Sequence, residues 1–320
     1  MECFKCGGKK AVINIQHGPL CGKCFIDHFE KKVYGTIRKY GLFTKKDVIC
    51  VACSGGKDSL VALHLVNRLA KKQRQRIFAL AVDEGIGSYR SHTLEDLKFF
   101  CKKEGIELHI VSFKKEFGFT LDGIIREAKK KGKDVNPCTV CGIMRRRLMN
   151  THAKRLGADV LVVGHNLDDE AQTILMNMMK GGIELSARLG PKTGIVRHEK
   201  FVPRVKPLYF CMEKEDRLYS ILKGFRVNFA ECPYTRDSFR DYVRHMLNEA
   251  ESRYRGTKYS IVNNFLKMLP LIKEKFSGSA VMECRICGEP GKNDVCSVCT
   301  LLENLGVRNG KKKISERSGK

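Results

Sequence analysis

Residues Cys53 to Ser59 read Cys-Ser-Gly-Gly-Lys-Asp-Ser, directly after the apolar run 48–52 and directly before the helical pattern 60–66. A strand, a glycine-rich turn and a helix start in that order make a place for phosphate. Gly55 and Gly56 let the backbone approach an anion, and the first amides of the next helix face it with the positive end of the helix dipole behind them. Lys57 adds charge, and Ser54 and Ser59 add hydroxyl donors. The spacing is neither that of a Walker A loop nor that of a dinucleotide fingerprint. The second source of chemistry is cysteine, 15 in all, most of it in five C-x-x-C pairs. Cys3, Cys6, Cys21 and Cys24 form two pairs beside glycines, as do Cys284, Cys287, Cys296 and Cys299. Four thiolates on tight turns suit tetrahedral zinc, and small modules of this kind fold on their metal. His17 and His28 are close enough in sequence to stand in for one thiolate of the first group. The fifth pair, Cys138 and Cys141, has no second pair near it and cannot complete a zinc site alone. Cys232, followed by Pro233, supplies a distant third thiol in a setting familiar for iron–sulfur ligands. Three thiolates would leave one metal position open, which a catalyst needs. A dithiol mechanism, with a persulfide on Cys141 or Cys232, is the competing chemistry. Cys50, Cys53, Cys101 and Cys211 have no paired partner and read as small core residues.

These residues need a scaffold, and the pattern between the two four-cysteine groups alternates. Strand-like runs at 48–52, 77–82, 106–113 and 159–163 interleave with helical patterns at 59–72, 91–104, 120–131, 144–156 and 168–179. Such alternation predicts an α/β fold, a doubly wound parallel sheet with helices on both faces and ligands at the carboxyl ends of its strands. The loop at 53–59, Asp83-Glu84-Gly85 and Gly164-His165-Asn166 all fall at such ends. After Pro207 the pattern becomes helical at 213–224, 238–254 and 259–275, with Arg236, Arg240, Arg244, Arg253, Arg255 and Lys258 interspersed. We divide the chain into an N-terminal zinc module (1–30), a catalytic domain (31–250), a basic helical segment (251–280), a C-terminal zinc module (281–305) and a basic tail (306–320). In the 320 residues Lys and Arg number 60 against 35 Asp and Glu, a net charge of +25 that favours a polyanionic partner, nucleic acid first. No apolar run approaches the roughly 20 residues of a membrane span. The N-terminus also lacks the apolar core of a signal peptide. The expected location is therefore the cytoplasm, with no membrane partner.

The segment Ser54 to Ser59 resembles the PP-loop of ATP pyrophosphatases, which split ATP into AMP and pyrophosphate. Taken with the two four-cysteine groups, the segment Pro137 to Gly142 and Cys232-Pro233, it resembles the tRNA 2-thiouridine synthases of the TtuA and Ncs/Ctu cytosolic-thiolase family over nearly the whole chain. The resemblance implies an adenine nucleotide α-hydrolase-like fold, two zinc ions, a 4Fe-4S cluster on Cys138, Cys141 and Cys232, ATP, magnesium and a tRNA substrate. Some relatives have His where this chain has Cys24, so His28 is not expected to bind. The implied reaction adenylates the C2 oxygen of a uridine and then lets sulfur displace AMP. Lys57, Asp58 and Asp169 would act in the first step, with magnesium on Asp58 or Asp169. Asp168-Asp169 opens a helix, so capping is the plain alternative for that pair. Ala52, Cys53, Ser54, Gly55, Gly56, Ser59 and Asp83 would border the nucleotide, Arg145 would reach its phosphates, and Gly164 would admit it. The basic C-terminal extension points to the wobble uridine rather than the T-loop 5-methyluridine. The sulfur donor would be sulfide or a ubiquitin-like thiocarboxylate carrier, and the resemblance suggests a homodimer. Two other readings are a PP-loop ligase that accepts an amine and a non-catalytic RNA-binding module. The first has no use for the three thiols, and the second none for ATP.

Overall fold

The computed structural model describes residues 1–15, 18–194, 198–227, 229, 232–235, 238–277 and 281–306. His17, Arg236 and the tail from 307 onward lie outside them. Strands β1 (Ile13–Ile15) and β2 (Gly18–Leu20) pair antiparallel between the halves of the first cysteine group, and α1 (Gly22–Lys39) follows. The alternating part then runs β3 (Ile49–Ala52), α2 (Lys57–Gln73), β4 (Ile77–Asp83), α3 (Gly87–Glu104), β5 (Glu107–Ser112), α4 (Phe113–Phe117), α5 (Leu121–Lys130), α6 (Pro137–Arg155), β6 (Val160–Val163), α7 (Leu167–Met179), α8 (Ile183–Ser186) and β7 (Arg204–Val205). The rest is α9 (Glu213–Leu222), α10 (Phe239–Arg253), α11 (Thr257–Lys275), the pair β8 (Met282–Glu283) and β9 (Pro290–Gly291), and α12 (Ser297–Asn304).

The main sheet has five parallel strands in the order β5-β4-β3-β6-β7. Every residue of β3 and β6 is buried. Helices cover both faces, and that is why these strands read as continuous apolar runs. The chain moves outward from β3 through β4 to β5 and then returns to the other side at β6. The crevice at the carboxyl ends of β3 and β6 is therefore the expected ligand position. Helix α1 and several short elements have no counterpart in the sequence reading, and two further departures lie in the alternating part. Helix α6 begins at Pro137 rather than near 144, started by the Asn136 side chain, which accepts from the Thr139 amide at 3.0 Å, and by proline at the first helical position. The fifth strand, β7, is two residues long and too short to show periodicity.

The end modules are attached differently. Cys21 and Cys24 lie at the start of α1, whose Phe25, Phe29 and Val33 are fully buried in the main core, with Phe29 stacked on Tyr219 of α9 at 4.7 Å. The C-terminal group has a small apolar core of its own, with Val298 and Leu302, and rests on α6. Helix α11 shares a core with α7 and α10 through Val243, Leu247, Val262 and Phe265. Lys258, one of the cations interspersed in the basic helical stretch, is buried there and paired with Asp168. Arg244 and Arg253 hold Asp241 and Glu249 on their own helix.

Candidate active site

The loop after β3 delivers the phosphate-site residues. Gly56 is the residue before α2, and no side chain caps the helix, so its first amides stay available to an anion. The Gly56 amide donates to Ser54 Oγ at 3.3 Å, and Ser59 Oγ donates to the Gly56 carbonyl at 2.8 Å. Gly55 has φ +84, and a side chain there would run into the Thr93 carbonyl of α3. Gly164, at the end of β6, lies against the same loop. A Cβ on it would stand 2.9 Å from the Asp58 carbonyl carbon and the Ser59 nitrogen, so its bareness serves the approach of β6 to the loop. Cys53 is fully buried, its thiol pushed well up by burial, and its amide donates to Leu80 O at 2.9 Å. Cys50, Cys101 and Cys211 are buried as expected. Ala52 ends β3 and Asp83 ends β4, where the Asp83 carboxylate accepts from the Gly85 amide at 2.9 Å.

Lys57 is held by carboxylates, Glu213 at 2.7 Å and Asp58 at 3.2 Å. Burial opposes its charge, yet the two carboxylates outweigh burial and raise its pKa. Asn166 joins the acidic residues: its side-chain amide reaches Asp58 at 3.4 Å, and its oxygen accepts from the Asp169 amide at 3.1 Å. Asp169 returns a bond to the Asn166 amide at 3.3 Å, completing a capping box at the start of α7. Asp169 therefore does cap its helix, and it also faces the site: burial, then Asp58, push its carboxyl up to about 7. Asp168 instead accepts from the Glu213 amide at 2.8 Å and pairs with Lys258. Sequence reasoning passed over Asp216. It is fully buried against Asp58, neither oxygen meets a hydrogen-bond donor among the described residues, and burial together with Asp58 raises its pKa well above the ordinary range.

The three thiols come from two segments. Cys138 and Cys141 occupy the first turns of α6, one turn apart on one face. Cys232 approaches from the chain before α10, where Cys138 Sγ contacts the Tyr234 carbonyl at 3.1 Å. Burial raises all three, Cys141 to about 11, and Arg145 opposes the rise. The two terminal groups are tighter, their sulfurs all lying within 4.8 Å of one another. Cys6 and Cys21 are 3.8 Å apart and Cys287 and Cys296 3.6 Å. A zinc ion with Zn–S bonds of about 2.3 Å makes a tetrahedron with edges of about 3.8 Å, so both groups fit it. His28 belongs to neither. The trio at Cys138, Cys141 and Cys232 is not among these compact groups, which suits a cluster wider than one ion.

A relay that is buried at Glu84 and Arg90 joins the thiols to the loop. Arg145, one turn beyond Cys141, lies 3.7 Å from Glu84, and Glu84 lies 2.9 Å from Arg90. The Arg90 guanidinium donates to the carbonyls of Ser54 and Val82. Glu84 and Arg90 are each under a tenth exposed. Arg145 is thus engaged with Glu84 here rather than lying free in the loop. Ser54, Lys57, Asp58, Tyr89, Glu213 and Cys232 line one groove of about 1710 Å³. Pockets for small ligands hold about 300 to 1,000 Å³. The remainder runs past Lys39, Lys214 and Arg255.

The PP-loop domain profile matches residues 26–251. Among curated proteins, a tRNA-5-methyluridine(54) 2-sulfurtransferase of Pyrococcus horikoshii is 36% identical over 93% of this chain and 93% of its own length. The cytoplasmic tRNA 2-thiolation protein 1 of Laccaria bicolor is 33% identical over 99% of this chain and 89% of its own. Among solved structures, the U34-tRNA thiolase NcsA from Methanococcus maripaludis with its [4Fe-4S] cluster superposes with a TM-score of 0.80 at 35% identity, covering 98% of this chain and 99% of that one. The profile, the near full-length identities and the shared fold agree, and this chain belongs to the PP-loop tRNA 2-thiolation family of enzymes.

Proposed function

We propose that this protein replaces the C2 oxygen of a tRNA uridine with sulfur at the expense of ATP. The observation that carries this reading is the single groove onto which both the Lys57–Asp58 loop and Cys232 open. In the first step the C2 oxygen attacks the α-phosphorus, the bond to the β-phosphate oxygen breaks, and pyrophosphate leaves. The loop amides and Lys57 neutralise the leaving group. Magnesium would sit on Asp58, with Asp169 beside it and the buried Asp216 carboxyl behind; one or two carboxylates plus phosphates are what that ion takes. In the second step hydrosulfide attacks C2 of the adenylated base, the C2–O bond breaks, AMP departs, and the proton from sulfur goes to solvent, with no net oxidation. A cluster on Cys138, Cys141 and Cys232 would supply an iron with an open position for the sulfur. Arg145 keeps positive charge beside those thiols. The two terminal groups hold zinc structurally.

The groove beyond the nucleotide takes the RNA, whose target base must be unstacked to reach both chemistries. The wobble uridine is our assigned target. Donor supply by sulfide or by a thiocarboxylate carrier, a homodimer and a cytoplasmic setting complete the reading. Among the described residues no helix is long and apolar enough to cross a membrane. The test is anaerobic thiolation of tRNA with ATP, magnesium and sulfide, followed by mass spectrometry of nuclease fragments. The expected product is 2-thiouridine in the anticodon fragment with one AMP per sulfur. A thiolated T-loop fragment would move the target, and no thiolated base with intact cluster and magnesium would overturn the function.

A further inference from the structure

Arg145 and Arg147 stand two residues apart on α6, about 200° around its axis, and leave it on opposite sides. Arg145 engages Glu84. Arg147 turns to the C-terminal four-cysteine group: Nη1 donates to Cys287 Sγ at 2.9 Å and lies 3.5 Å from Cys296 Sγ, and Nε is 3.8 Å from Glu289. The side chain is only 8% exposed. A buried guanidinium needs strong acceptors; a neutral thiol is a weak one, and a metal-bound thiolate is a good one. Four thiolates around one divalent ion carry a net charge of −2, half of which a buried guanidinium offsets. Further ties close the same interface. Thr151 donates to Glu289 at 2.7 Å, Lys131 to the carbonyls of Leu305 and Gly306 at 3.1 Å, and Lys133 to the Asn304 carbonyl. Leu301 and Leu305 pack with Val140, Met144 and Leu148 of α6.

We infer that Arg147 is a positioning residue through which the metal-loaded C-terminal thiolates hold α6, and with it Cys138 and Cys141, in place for the sulfur step. The inference rests on the cluster reading above. Loss of the C-terminal metal would leave the guanidinium beside four sulfurs that nothing holds together, and α6 would lose its hold on the face opposite Arg145. Lysine keeps the charge but not the planar fork and should restore the contact only in part.

The test uses the full chain with Arg147→Met and Arg147→Lys, reading zinc retained against a chromophoric chelator and iron taken up on anaerobic reconstitution. Circular dichroism melts confirm that each variant folds, and Arg147→Gln stands in should the Met variant not fold. In the Met variant one of the two zinc ions should be held about 10- to 100-fold less tightly, the size seen when a partner of a metal ligand is removed. Iron uptake should fall with it, ATP binding should stay unchanged, and lysine should give intermediate values. Wild-type zinc retention in the Met variant would overturn the role of Arg147, and weakened zinc with full iron uptake would overturn the coupling. If the wild-type chain takes up no iron, the cluster reading fails on its own. The placement of α6 is then read from the alkylation rates of Cys138 and Cys141, which must change in the Met variant for the inference to stand.

Discussion

The loop that faces ATP and the segment that carries the thiols are built in opposite ways. The loop is fixed by backbone: the end of β3, the bare glycines Gly55 and Gly164 with other chain pressed against them, and the open start of α2. The thiols are fixed by side chains from distant parts of the sequence, Arg145 to Glu84 to Arg90 on one face of α6 and Arg147 on the other. A backbone-built site tolerates little change in its own residues but is insulated from change elsewhere. A site held by side-chain contacts depends on residues that touch no substrate.

The largest expected effect sets the two halves apart. Cys141→Ala should abolish thiolated product while ATP binding, measured by calorimetry, stays within twofold of wild type; persistence of product would remove the cluster from the mechanism. Lys57→Ala is the mirror case. Release of AMP and pyrophosphate should fall about 10²- to 10³-fold, the cost of losing one charge-stabilising donor, while iron uptake is unchanged. If either variant damages both halves equally, the contrast between them is lost. Glu84→Gln sits between the two and should lower both ATP turnover and iron uptake by about tenfold, about 1.4 kcal/mol each. An effect confined to one reading would mean that the relay ties nothing together.

The smallest effect is one of pH. Burial and Asp58 raise Asp169 from an ordinary value of 3.8 to about 7, so between those values the folded chain keeps a proton that the unfolded chain has lost. Its contribution to stability is fully present below pH 3.8 and is lost as pH rises through 7. In protein free of nucleotide and magnesium, denaturant unfolding from pH 5 to 8 should show stability falling with pH. Asp169→Asn should flatten that slope by about one proton. An unchanged slope would show that Asp169 is ionised throughout.

The same division explains what could be read in advance. The loop, the two four-cysteine groups and the α/β alternation depend on residues near in sequence, and each matches its structure. The start of α6 was there to be read in Asn136-Pro137, a cap followed by the proline that favours a first helical turn. Arg90, Arg147 and Asp216 carried no local signal, and Glu84 only its place at the end of a strand. Each matters only because the fold brings it to a partner tens of residues away, and single charged residues in helical or strand patterns look alike until the pairing is known. Lys258 is the converse case, a cation in a basic stretch that the packing of α11 on α7 takes out of solvent.

The attachment of the first cysteine group to α1 has a consequence in time. Chains emerge from the ribosome amino end first. All four sulfurs of that group are in place by Cys24, before any strand of the main sheet has been made. A metal captured then would fix the start of α1 and leave Phe25 and Phe29 ready as the first surface on which later elements settle. The C-terminal group can be completed only after α6 has been made. The two modules, alike in their ligands, thus fall at opposite ends of biogenesis, the first opening the assembly of the domain and the last closing it.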